Sequence, residues 1–263
     1  MAVIRQINKH GAAMNQNYIN DIVAHYLDRT AYRTLQPRAA LIDMDGTLID
    51  SMGHHTAAWH RMATELGVEC TQDEFYLYEG MTGAETINRL IRRAFHRDAT
   101  DDEKFRLYER KSEYFNELPK VEIVPGADRM VATLQHYGIT RVLVTGSGQR
   151  SNLERLERDF PGAFSAGLRI TSADVAHCKP HPEPYLKGMA LAHVEPWQSI
   201  AIENAPLGVR SAVDAGAFTL AVTTGPIPEE EMHRAGADAV FKSMYDLAEF
   251  LPALLEKCGL THN

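Results

Sequence analysis

Four short apolar runs, TRVLVT at 140–145, SIAIE at 199–203, FTLAV at 218–222 and AVF at 239–241, punctuate the second half of the chain. Continuous apolar runs of this length are the mark of strands buried on both faces. Helical periodicity separates them, so neighbouring strands cannot be joined as hairpins and must run parallel with helices crossing between them. Residues 168–171 read as a weaker strand of the same set, and 39–44 as an earlier one. The expected fold class is therefore α/β, with a doubly wound parallel sheet.

Between 39–44 and the later strands the texture changes. Over 51–123 apolar residues recur at helical spacing, most clearly at 57–66, 84–95 and 101–118, and no strand-like run longer than four residues interrupts them. Residues 39–50 and 124–263 then form a Rossmann-like core, interrupted by a helical unit at 51–123. Helices are expected at 128–137 and from about Gln149. Residues 1–38 form an extension in which Tyr18, Ile19, Ile22, Val23, Tyr26 and Leu27 mark one amphipathic helix, expected to pack on the main body.

A net charge of −8 argues against a nucleic-acid or membrane-surface partner, so an anionic substrate needs local cations or a metal. Three scattered cysteines, Cys70, Cys178 and Cys258, form neither a disulfide framework nor a zinc pattern. The first residues are too polar for a signal-peptide core, and no apolar run approaches the ~18 residues of a membrane span. A cytoplasmic monomer is expected.

Ligands of open parallel sheets sit beyond the carboxyl ends of the strands. The first strand ends in Asp43 and Asp45 of DMDGTL, two residues apart and so on one face. The second leads through Thr145, Gly146, Ser147 and Gly148 into a helix, which supplies a hydroxyl and backbone amides for an anion. Lys179 lies in CKPHPEPY, and the strand SIAIE leads from Glu203 to Asn204. Singly these read as a turn, a cap, a solvated lysine and another turn. Together they compose a phosphoryl-transfer site, and Mg2+ would suit its oxygen donors.

DMDGTL, Thr145, Lys179 in KPHPEP and Glu203-Asn204 resemble the four ordered motifs of the haloacid dehalogenase superfamily, over roughly residues 39–255. The resemblance implies that 51–123 is an α-helical cap closing over the site. It implies Asp43 as nucleophile and Asp45 as general acid and base. It places Mg2+ on the Asp43 carboxylate, the Asp45 main-chain carbonyl and Glu203. Thr145, the amides that follow it and Lys179 would hold the transferring oxygens.

Within the superfamily the pattern resembles β-phosphoglucomutase-like members, in which His55 and Lys111 match cap residues near the substrate. Three positions depart from a mutase: Glu79 replaces a cap lysine, Gly83 a phosphate-gripping arginine, and Asn204 the usual aspartate. Glu79 reads either as an exposed acid at a helix start or as a group reaching the Mg2+ shell beside Asn204. EGMTGAETIN, VTGSGQ, LERLE and IENAPLGV also resemble bacterial inorganic pyrophosphatases of this superfamily. The expectation is Mg2+-dependent hydrolysis of pyrophosphate, the alternative a β-phosphoglucomutase or small sugar-phosphate phosphatase. A non-catalytic phosphate-binding module is the reading from a different class.

Overall fold

The computed structural model describes residues 16–147, 150–165 and 167–261. Six strands form one parallel sheet: β1 (Ala39–Ile42), β2 (Thr140–Val144), β3 (Arg169–Ile170), β4 (Ser199–Glu203), β5 (Phe218–Val222) and β6 (Ala239–Phe241). Their order is β3-β2-β1-β4-β5-β6, so the direction of winding reverses at β1. This is the doubly wound architecture expected from the apolar runs.

Burial explains why those runs carry no alternation. Ala40 and Ile42 pack with Ile200, Ile202 and Phe218 on one face, under α5 (Ala127–His136) and α10 (Met244–Lys257). Leu41, Val142, Val144 and Ala201 pack on the other, under α7 (Glu183–Leu191) and α8 (Pro206–Asp214). With both faces dry, every position must be apolar. At the far edge α9 (Glu229–Ala235) covers Val240.

Strand β1 stops at Ile42, short of the expected 44. Met44 to Ile49 instead fold into a tight loop in which the amides of Leu48 and Ile49 both donate to the Met44 carbonyl. Gly46 sits there at φ 81°, and a Cβ would run into the Asn204 amide and the Met52 side chain. Strand β3 also proves shorter than expected, with two residues. The start expected near Gln149 lies outside the described residues, and α6 is seen over Arg150–Asp159.

Between β1 and β2 lie α2 (Met52–Glu65), a 3-10 turn (Asp73–Tyr78), α3 (Gly83–Phe95) and α4 (Asp101–Glu117). Thr82 with Glu85, and Thr100 with Glu103, form capping boxes that fix where α3 and α4 start. The chain enters and leaves this helical unit along paired linkers. The Asp50 amide donates to Glu122, the Val124 amide donates to Leu48, and Ile49 bridges Ile123.

The first helix, α1 (Gln16–Thr30), packs on the core through Ile19 and Tyr26, both fully buried. The Tyr26 hydroxyl donates to the Gly216 carbonyl at 3.0 Å. Arg29 closes a two-pronged pair with Asp238, at 2.9 and 2.7 Å. The remainder of the extension, residues 1–15, falls outside those described.

Candidate active site

Parallel register sets the centre of the site. Ile42 is level with Leu143 and Ile202, so Asp43 lies beside Val144 and Glu203 where the winding reverses. Lys179 reaches this point from the loop before α7, and its bond to Pro180 is cis. Its ammonium donates to Asp43 Oδ1 at 2.6 Å, to the Val144 carbonyl at 3.0 Å, and to Glu203 Oε1 at 2.6 Å. Those are the three donors an ammonium has. Burial alone would lower the Lys179 pKa, but Asp43 and Glu203 outweigh it and raise it. Asp43 is raised by burial above all, with Lys179 pulling it back.

Asp45 is held from the helical unit. Its Oδ1 accepts from Ser51 Oγ at 2.5 Å and from His55 Nε2 at 3.1 Å. His55 Nδ1 lies 2.6 Å from Lys111 Nζ. A lysine ammonium can only donate, which assigns Nδ1 as acceptor and Nε2–H as the donor to Asp45. Burial alone would raise Asp45, yet His55, Ser51 and Lys111 together bring it below the ordinary carboxylate value. His55 is lowered, first by burial and then by Lys111. Burial pushes Lys111 down to about 7, against the pull of Asp45.

Lys111 is nevertheless well surrounded. Its ammonium lies 5.1 Å from the ring centre of Phe115, 5.3 Å from Trp59 and 5.9 Å from Tyr108, an aromatic cage that favours a cation. His55 stacks on Phe115.

At the end of β2, Thr145 Oγ1 accepts the Ser147 amide at 3.0 Å. Gly146 faces the helical unit so closely that a Cβ would stand 3.1 Å from the Gly80 carbonyl. Beyond β4, Asn204 Oδ1 accepts from Thr47 at 3.3 Å. Glu203 is fully buried; its Oε1 accepts from Tyr185 at 2.6 Å as well as from Lys179, and its Oε2 accepts the Asn204 and Ala205 amides.

Glu79 is no exposed acid at a helix start. It follows the 3-10 turn, four residues ahead of Gly83, and both its carboxylate oxygens are buried without a hydrogen-bond partner. Its pKa is raised well above the usual value, chiefly by burial and then by Asp45, Asp43 and Glu203, with Lys179 the opposing charge. At Gly83 the Tyr108 ring fills the space a Cβ would need, so an arginine there would have to displace it.

All the residues singled out in the sequence, Asp43, Asp45, His55, Glu79, Lys111, Thr145, Gly146, Ser147, Lys179, Glu203 and Asn204, line one cavity of about 90 Å³. Its floor is charged, and its roof carries Trp59, Phe75, Tyr78 and Tyr108. Trp59 belongs to the β-phosphoglucomutase-like pattern; Phe75 and Tyr78, in the 3-10 turn, and Tyr108, at the helical spacing of a core residue, carry no sequence signal of a site. Ser51 and Tyr185, which hold the two carboxylates Asp45 and Glu203, also went unnoticed; their only signal was adjacency to DMDGTL and KPHPEP.

Among the described residues, no group of three or more His, Cys, Asp or Glu side chains is gathered as a metal cluster. A Mg2+ site does not require one, since one or two carboxylates with main-chain and substrate oxygens suffice. The two partnerless oxygens of Glu79, facing Asp43 and Asp45, fit such a cation.

Residues 40–222 match the family described as haloacid dehalogenase-like hydrolase. The chain belongs to that family. This haloacid dehalogenase-like hydrolase is similar to the validoxylamine A 7'-phosphate phosphatase of Streptomyces hygroscopicus subsp. limoneus, with 29% identity over 80% of this chain and 95% of the relative. It is similar to the phosphorylated carbohydrates phosphatase of Thermotoga maritima, with 30% identity over 68% and 81%. It shares 25% identity with the β-phosphoglucomutase of Bacillus subtilis, over 80% and 91%. Among solved structures, a Bacteroides vulgatus protein described as a candidate β-phosphoglucomutase matches with a TM-score of 0.88 and 40% identity, covering 92% of this chain and 98% of that one. The β-phosphoglucomutase-like subgroup is thereby supported; the resemblance to pyrophosphatases is not, since these relatives are sugar-phosphate phosphatases and mutases.

Proposed function

We propose that this hydrolase cleaves a small phosphorylated substrate by way of a phosphoaspartyl group on Asp43, with Mg2+ bound. The observation that carries this reading is the buried Asp43–Lys179 contact at the reversal point of the sheet, with Asp45 beside it. The Asp43 oxygen not held by Lys179 forms the bond to phosphorus as the bond to the leaving oxygen breaks. Asp45, once it has taken up a proton, delivers it to that oxygen, then takes one back from the water that releases phosphate and restores Asp43. Thr145 and the amides of Gly146 and Ser147 take up the charge of the transferring group. Asp43, the Asp45 carbonyl, Asn204, Glu79 and Glu203 would hold Mg2+, which would offset the charge of the incoming phosphate. Both aspartates sit in one cavity with Lys179 and Thr145, which favours turnover over a silent phosphate-binding module.

For the substrate, the relatives favour phosphorylated carbohydrates. The division of the cavity agrees, with charge below for a phosphate and aromatic rings above for a sugar. Mutase action is disfavoured, because Tyr108 occupies the place of the arginine that would grip a second phosphate. Inorganic pyrophosphate is the second reading, and two observations favour it. Glu79 brings two partnerless oxygens over the site, which suits a substrate that arrives with a metal ion. Asp45 is held ionised, which suits a leaving group that departs without a proton.

Phosphate release from hexose phosphates, β-glucose 1-phosphate and pyrophosphate, measured side by side with Mg2+, tests both. A kcat/KM at least about tenfold higher on a sugar phosphate supports the first reading. The same preference for pyrophosphate, lost selectively in Glu79→Ala, moves the assignment to the second. No turnover of any of them refutes the proposal.

A further inference from the structure

We infer that Tyr185 is a positioning residue, whose hydroxyl fixes the Glu203 carboxylate and so governs how tightly the site holds a divalent cation. The inference rests on the hydrolase reading above. Tyr185 is fully buried on the inner face of α7, among Leu41, Val142, Val144, Ala201 and Met189. Such a neighbourhood favours phenylalanine, since a hydroxyl taken from water into an apolar cluster is costly unless bonded. Here it has one use: it donates to Glu203 Oε1 at 2.6 Å.

The rest of the cradle shows how closely that carboxylate is held. Oε2 accepts two main-chain amides, at 3.1 and 3.4 Å, while Oε1 is shared between Tyr185 and Lys179. Gly208 in α8 completes it, because a Cβ at that position would overlap the Glu203 carboxylate. Two helices and one strand end thus converge on one side chain. Tyr185 also opposes a competitor. Without its hydroxyl, Glu203 Oε1 keeps Lys179 alone as donor and draws the ammonium from Asp43, shifting both carboxylates from their places around a cation.

The test is Tyr185→Phe in the full chain, with Mn2+ as the probe. Partners that orient a ligating carboxylate are worth about 10- to 100-fold in metal affinity. Calorimetric titration of metal-stripped protein should show Mn2+ binding weakened about tenfold, with a melting curve close to that of the parent. If Tyr185 works through Glu203, adding Tyr185→Phe to Glu203→Gln should weaken Mn2+ binding no further. Unchanged or tighter Mn2+ binding in Tyr185→Phe, or a full additive loss in the double variant, overturns the inference while parent turnover leaves the hydrolase reading standing. A parent that neither binds Mn2+ nor releases phosphate overturns both.

Discussion

Replacing Lys111 by methionine should make the protein more stable at neutral pH, although it removes a side chain that lines the active site. Lys111 is 1% exposed and pushed from 10.5 to about 7, mainly by burial. Each pH unit of displacement is worth about 1.4 kcal/mol, so holding the ammonium inside the fold at pH 7 and below costs about 5 kcal/mol relative to water. Between pH 7 and 10.5 the unfolded chain carries this proton and the native chain does not. Unfolding therefore takes up a proton, and parent stability rises with pH through that window. Lys111→Met has no such group, and its length suits the cage of Trp59, Tyr108 and Phe115. The contact with His55 at 2.6 Å is lost, which offsets part of the gain. The net expectation is about 1–4 kcal/mol of added stability at pH 7, the range seen when buried charges give way to apolar side chains. That advantage should shrink as pH rises and vanish by about pH 10. Urea unfolding of both proteins at pH 7, 8, 9 and 10 measures it. A variant less stable than the parent at pH 7, or a difference that does not change with pH, refutes the reasoning.

Three further outcomes follow from the same geometry. Asp43→Asn should lower phosphate release by about 10³ or more while leaving the melting temperature near or above that of the parent, since it removes a buried charge and no volume. Arg29→Met should cost about 3 kcal/mol in urea unfolding, because Asp238 is left buried with only main-chain donors. Gly46→Ala should lose about 1–3 kcal/mol to backbone strain and also lower turnover, as its methyl group would displace Asn204. Thermal and kinetic measurements on one preparation would separate those two losses.

The strands were legible where burial is complete. β4, β5 and β6 span the residues of their apolar runs, because a strand covered on both faces admits little else. The start of α2 was not legible. Ser51 stands at its N-cap, but its hydroxyl serves Asp45 instead of the helix, and His54, His55 and Thr56 break the apolar rhythm. The floor of the site could be read because strand ends gather by topology. Its roof could be read only through resemblance, which placed His55 and Lys111 near the substrate. By pattern alone Lys111 lies among the charged residues of α4 and looks solvated until α2 packs over it. Glu79 reads in the sequence either as a surface acid or as a group near the metal, and the path of the 3-10 turn brings it over Asp43 and Asp45. The pyrophosphate expectation rested on such roof and loop residues.

The paired linkers at 48–50 and 122–124 constrain how a substrate can enter. Two strands of chain joined side by side can bend and twist as a ribbon, but neither can slide along the other without breaking the bonds from Asp50 and Val124. Any movement of the helical unit would therefore be a bending or twisting of this ribbon, without sliding. Ser51 and His55 begin the helix that leaves this ribbon, and both hold Asp45. A swing that admitted substrate would also loosen Asp45, the acid–base group proposed above, so access and readiness for chemistry would alternate. Water entering with the unit swung open would meet a site not yet assembled to use it.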